Sequence, residues 1–203
     1  TIMAPISQDQ ITLIIGGLIP LIVSNVLHMI LVKRDGLASL KQPLHRVWFG
    51  PNKTLRGLIF VPLVNGFVYL CVNWPGGLLL SHLSVSYHLS TPIPMGNLNL
   101  LNVLLHQFGV GAAFGLFYMV FELPNSWIKR RLGIAPGEQS LRYKWIFTLM
   151  DKTDSALGVS IIFGFTVEHQ FNLQLACVFF VCAALLHFLV SGLLVISKIK
   201  KSF

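Results

Sequence analysis

The sequence predicts an all-α, polytopic membrane protein of about five transmembrane helices, and three observations predict it. Of 203 residues, 54% are hydrophobic, and only 15 Lys and Arg stand against 7 Asp and Glu. A charged fraction of 11% and a mean hydropathy of +0.73 lie far from an ordinary soluble domain, which carries about 25% charge. Apolar runs recur at about the 20-residue length that a bilayer demands of a helix. The basic residues, finally, collect in a few short segments between those runs. Disorder needs the opposite composition. A disulfide scaffold is excluded by three cysteines, Cys71, Cys177 and Cys182, at unrelated spacings inside apolar stretches; they read as small hydrophobes. A soluble nucleic-acid binder is excluded despite the isoelectric point near 9.7, because long apolar runs separate the cations.

Five segments follow in order. Ile11 to Val32 is uncharged and is stopped by Lys33-Arg34-Asp35-Gly36. It lacks a basic leader and a small-residue cleavage site, so it reads as a retained helix rather than a signal peptide. Gly57 to about Trp74 is the second span, ended by Pro75-Gly76-Gly77. Residues 78–94 are uncharged but broken by Ser, His and Pro, and read as an interfacial or re-entrant loop. Asn97 to Phe121 is the third span, with Gly111 and Gly115 spaced for close helix packing. Trp145 to Val167 is the fourth, although Asp151, Lys152 and Asp154 lie within it. Asn172 to Ser197 is the fifth, Phe-rich and read as lipid-facing, followed by Lys198, Lys200 and Lys201. No internal repeat is visible, and residues 1–203 form a single domain.

Charge orients this arrangement. With five spans, the loop carrying Lys33, Arg34, Lys41, Arg46, Lys53 and Arg56 shares one face with Lys129, Arg130, Arg131, Arg142, Lys144 and Lys152 and with the C-terminal lysines. The positive-inside rule makes that face cytoplasmic. The N-terminus, the 75–96 loop and Glu168-His169 then lie outside, in a multi-pass cell-membrane protein.

An ionisable residue at membrane depth costs roughly 2.5–3.5 kcal/mol to insert and marks function by default. Asp151 and Asp154, three apart, share a helix face, with Lys152 projecting elsewhere. Glu122 ends the third span. Hard carboxylate oxygens at one interface suit Mg²⁺, and nearby cations suit a polyphosphate that shares its charge with the metal. Lys53, Arg56, Lys129 and Arg130 are interleaved with Asn, Thr, Ser and Gly, as such a site requires. A purely structural alternative pairs Asp151 with a lysine and uses Asp154 as a helix cap, leaving the cations as positive-inside flanks and anionic-lipid contacts. His28, His106 and His187 read as hydrogen-bonded interior residues. No phosphate-cradling glycine loop, HExxH or paired CxxC is present.

These polar segments resemble the CDP-archaeol synthase family, integral-membrane cytidylyltransferases distantly related to phosphatidate cytidylyltransferase. Gly50-Pro51-Asn52-Lys53-Thr54-Leu55-Arg56-Gly57 is similar to its G-x-x-K-T-x-R-G stretch. Glu122 through Arg131, with Leu-Gly-Ile-Ala-Pro-Gly after it, is similar to the acidic-x-x-x-S-[FW]-[IL]-K-R-R segment. Asp151-x-x-Asp154 with Ser-Ala-Leu-Gly matches D-x-x-D-x-x-x-G. Phe121-Glu122 stands where archaeal members read Gly-Asp, and Asn125 where they carry Lys. The resemblance implies transfer of CMP from CTP to a membrane lipid phosphate, of archaeol or related type, releasing pyrophosphate. It implies Mg²⁺ on Glu122, Asp151 and Asp154, and a catalytic set of these acids with Lys129. It implies substrate contacts from Asn52, Lys53, Thr54, Arg56, Asn125, Ser126, Arg130 and Arg131. Two other readings compete: an ester-linked phosphatidate as acceptor, and a small transporter. Transport predicts charges reaching across the bilayer, whereas here they stop at the cytoplasmic half.

Overall fold

A computed structural model describes residues 6–73, 100–138, 143–166 and 171–197. The 75–96 loop, Arg142, Glu168-His169 and the C-terminal lysines lie outside the described residues. Among the described residues six α-helices follow in order, α1 (Gln8–Lys33), α2 (Arg46–Phe49), α3 (Leu55–Val72), α4 (Leu100–Arg131), α5 (Lys144–Thr166) and α6 (Leu173–Ile196), with a 3-10 turn at Ala38–Leu40 between the first two. The described residues contain no strand ladder, only an isolated antiparallel bridge between Pro43 and Thr54. Among the described residues four helices, α1, α3, α4 and α6, are long and apolar enough to cross a membrane.

Local chemistry sets the boundaries. Ser7 and Gln10 close a capping box at the start of α1, satisfying amide donors that a helix N-terminus leaves open. At its other end Asp35 and Leu37 take φ of 49° and 51°, turning the chain sharply. Asn172 caps α6 by accepting from the Leu175 amide at 3.0 Å. Pro20, Pro62 and Pro124 lie inside α1, α3 and α4; membrane helices tolerate this because neighbouring groups re-satisfy the freed carbonyls. The third apolar segment does not stop at Phe121. Its helix runs on through Pro124 to Arg131, which puts Glu122, Asn125, Ser126 and Lys129 on one continuous rod.

Between helices in lipid, packing and hydrogen bonds replace the hydrophobic effect as the cohesive force. The tightest pair is α3 with α4. A Cβ at Gly111 would collide with Tyr69 Cβ, and one at Gly115 would meet Pro62 Cα at 2.7 Å, so only hydrogen fits where these backbones touch. Fully buried Asn65 donates to Gly111 O at 2.6 Å and accepts from Ser24 Oγ at 3.1 Å, linking α1, α3 and α4. The aromatic centre contains Phe114, Phe163 and Phe179, the last two stacked at 4.0 Å. The expectation of a lipid-facing Phe-rich fifth span is therefore corrected. Phe179 is wholly buried, while Val181, Leu185, Leu189 and Leu193 form the exposed face of α6. Cys71 and Cys177 are exposed rather than interior.

Helix α5 has its polar side turned inward. Lys152, Ser155 and Ser160 are buried while Trp145, Ile146, Leu149, Leu157 and Phe165 are exposed. That pattern is intelligible only if the other helices supply polar company for the buried side.

Candidate functional site

The connection from α1 to α3 delivers the first part of the site. Leu44 N donates to Lys53 O at 2.8 Å and Leu55 N to Gln42 O at 2.9 Å, pinning the segment before α3 in an extended form. Gly50 holds φ at 83°, a left-handed value that favours glycine. A Cβ there would lie 3.6 Å from Arg130 Nε. This turn directs Asn52 and Lys53 inward.

Asn52, Lys53, Glu122, Asn125, Ser126, Asp151 and Asp154 all line one cavity of about 370 Å³, floored by α1 and α6 residues that include His28 and His187. The volume lies within the usual range of ligand sites, about 300–1,000 Å³. Lys53 Nζ pairs with Glu122 Oε2, each side chain about one-fifth exposed. Lys129 Nζ donates to both oxygens of Asp151 and stands 5.6 Å from the Phe147 ring centroid. Asn125, 4% exposed, donates through Nδ2 to Asp151 Oδ1 at 2.7 Å and to Asp154 Oδ2 at 2.9 Å. The Ser155 amide donates to the other Asp154 oxygen at 2.6 Å. Ser126 Oγ donates to Glu122 O, one turn back.

Burial pulls the Lys53 ammonium down. The charge and hydrogen bond of Glu122, followed by Asp154 and Asp151, outweigh that and hold it above the ordinary lysine value. It is therefore a fixed cation at neutral pH.

Other expected residues are not brought to the cavity wall. Arg56, almost wholly buried, gives its guanidinium to Gly36 O at 2.9 Å and Asp35 Oδ1 at 3.3 Å. It therefore ties the end of α1 to the start of α3. Thr54 occupies the N-cap of α3. Arg131 lies over the Trp127 ring at 5.3 Å. Arg130 folds beside Gly50, its Nε and Nη1 buried without a hydrogen-bond partner. The structural alternative fares unevenly: Asp151 does pair with a lysine, but Asp154 lies inside α5 and caps nothing. Lys152, expected to project elsewhere, is 2% exposed and lines the same cavity. The cavity wraps around this part of α5, so more than one face meets it.

Sequence reasoning missed Asn25, His28, Tyr118 and His187 as cavity residues. The available signal was a polar side chain in an apolar run, and His28 and His187 carried it. Their convergence needed the fold, because they belong to α1 and α6. Ser155 Oγ lies 3.4 Å from His187 Nδ1, linking α5 to α6 under the acids.

Among the described residues, no three His, Cys, Asp or Glu side chains are grouped closely enough to hold a metal. The donor set nonetheless suits a hard divalent ion, since two carboxylates converge on one amide and Asn125 Oδ1 is buried without a partner. Amide and carboxylate oxygens are what magnesium prefers. No family model, curated protein or solved structure matches the chain.

Proposed function

We propose that the chain is a magnesium-dependent cytidylyltransferase that transfers CMP from CTP to a membrane lipid phosphate. The observation that carries this reading is the convergence of three separated polar segments, around residues 52–53, 122–126 and 151–154, on one cavity. The same three segments carry the resemblance to CDP-archaeol synthases. In this reading α5 is the fourth of five spans, and its inward polar side meets the cavity. The N-terminus is outside, and the basic face with the cavity mouth is cytoplasmic.

The chemistry asks little acid–base work of the protein. A lipid phosphate monoester is already an anionic nucleophile; its oxygen bonds to the α-phosphorus of CTP as the bond to the β-phosphate oxygen breaks and pyrophosphate leaves. Catalysis then consists of alignment and charge neutralisation. Lys53 and Lys129 are held by carboxylates and supply fixed positive charge. Asn52 and Asn125 offer amide hydrogen bonds. Asp151 and Asp154 would hold magnesium, which when bound would supply positive charge against the leaving pyrophosphate. The hydrocarbon chains stay among the exposed apolar faces, while CTP arrives from water.

Incubating the purified protein with CTP, Mg²⁺ and a panel of ether- and ester-linked lipid phosphates tests this. Pyrophosphate release with formation of a CDP-lipid is expected, and the panel identifies the acceptor. No release with any acceptor, or CTP-independent flux across liposomes, overturns the reading.

A further inference from the structure

Asn125 is placed unlike the other polar side chains of the cavity. Its nitrogen stands between one oxygen of Asp151 and one of Asp154, at 2.7 and 2.9 Å. Its oxygen is buried without a hydrogen-bond partner. A buried amide oxygen without a partner has lost its hydrogen bonds to water with nothing in return, so the arrangement is poorly matched at one end of the side chain and well matched at the other. An amide turned over about its last torsion exchanges the two ends with almost no change in shape. Turned over, Asn125 would face two carboxylates with a third oxygen, which is repulsive unless a cation lies among them.

We propose that Asn125 is an oxygen ligand of a divalent cation held by Asp151 and Asp154, its amide reversing when the ion binds. Without the ion, Nδ2 donates to both carboxylates and keeps them together. With it, the positive charge replaces the two N–H donors at the carboxylates, Oδ1 becomes a ligand, and Nδ2 turns to the side where Oδ1 had no hydrogen-bond partner. Hard carbonyl and carboxylate oxygens are the ligands a magnesium-sized ion selects. Lys129 donates to both oxygens of Asp151 and limits its charge. The inference rests on the proposed magnesium-dependent reading but concerns a residue where this chain has an amide.

The test uses full-length protein in detergent, Mn²⁺ in place of Mg²⁺, and asparagine labelled with ¹³C at the side-chain carbonyl. Pulsed electron–nuclear double resonance of bound Mn²⁺ is expected to show a ¹³C coupling of a directly coordinated amide. That coupling should vanish in Asn125→Ala while Asn25 and Asn52 remain labelled. Mn²⁺ affinity should fall about ten- to hundredfold in Asn125→Ala and recover in Asn125→Asp, which restores an oxygen but not the N–H donors. A bound Mn²⁺ without the coupling in the unsubstituted protein overturns the inference and leaves the cytidylyltransferase reading intact. So does an Asn125→Asp variant as weak as Asn125→Ala, since a mere clasp between the carboxylates would behave that way. Failure of the unsubstituted protein to bind Mn²⁺ overturns both.

Discussion

Asp151 and Asp154 differ from the other acids in how they are held. Each accepts from the same Asn125 amide, so replacing either oxygen by nitrogen removes a charge while preserving shape. Asp151→Asn and Asp154→Asn are expected to lower Mg²⁺-dependent CDP-lipid formation about a hundredfold or more, with insertion and the gel-filtration profile unchanged. Full turnover in both variants would remove the carboxylates from the mechanism. Lys53 answers a separate question. Its substitution by Ala is expected to raise KM for CTP or for the lipid phosphate. It also strands the largely buried Glu122, a loss of about 3 kcal/mol visible as a lower thermal midpoint. Adding Glu122→Gln should restore that midpoint but not KM. Equal loss in the single and double variants would show that the ion pair has no structural role.

The same pair carries a pH dependence. The Lys53 value is raised on folding, so its contribution to stability is complete below the ordinary lysine range near pH 10.5. It is lost as pH rises through the raised value. The Asp35 carboxyl is lowered, first by the Lys41 hydrogen bond and then by Arg56. Its contribution is present above the ordinary carboxylate range and lost as pH falls through the lowered value. Alkaline melting should therefore loosen the cavity in wild type but not in Lys53→Met, and thermal melts across pH 9–12 would check this.

Among the elements, α3 and α4 form the frame on which the cavity depends. Gly111→Ala places a methyl into Tyr69 and the α3 backbone, and overpacking of this kind costs about 1–3 kcal/mol. The expected result is a lower thermal midpoint together with weaker Mn²⁺ binding, because Asn125 and Glu122 ride on α4. Gly109, with nothing near its added Cβ, is the control, and Gly109→Ala should melt like wild type. If the two variants melt alike, the contact is not under compression.

The GxxxG spacing was legible in the sequence because close approach admits only the smallest residues. The continuation of α4 beyond Phe121 was not, since loss of hydropathy was read as loss of helix. Hydropathy reports the surroundings of a segment, whereas the backbone ladder continues wherever its carbonyls find donors. Helix α5 was legible despite its charges: the segment read from Trp145 to Val167 is helical from Lys144 to Thr166, and its exposed side is a row of large hydrophobics.

For the molecule as a whole, the orientation remains the testable matter. Single cysteines at Lys41 and Leu132, in a background lacking Cys71, Cys177 and Cys182, are expected to react with an impermeant maleimide only from the cytoplasmic side. Labelling of the two positions from opposite sides would overturn the proposed five-span arrangement and, with it, the proposed cytoplasmic mouth of the cavity.

Composition by itself determined a helical membrane protein, because a chain this poor in charge must bury its backbone polar groups in helices once in lipid. The sequence also marked the acids and cations worth attention, since charge at membrane depth is expensive. Only the tertiary structure decided which of them meet. Lys53 reaches Glu122 across 69 positions of chain and His28 joins His187 beside them, while Arg56 is drawn away to Asp35. Those partnerships depend on helix rotation and on the turn at Gly50, which long-range packing sets and which spacing along the chain does not encode.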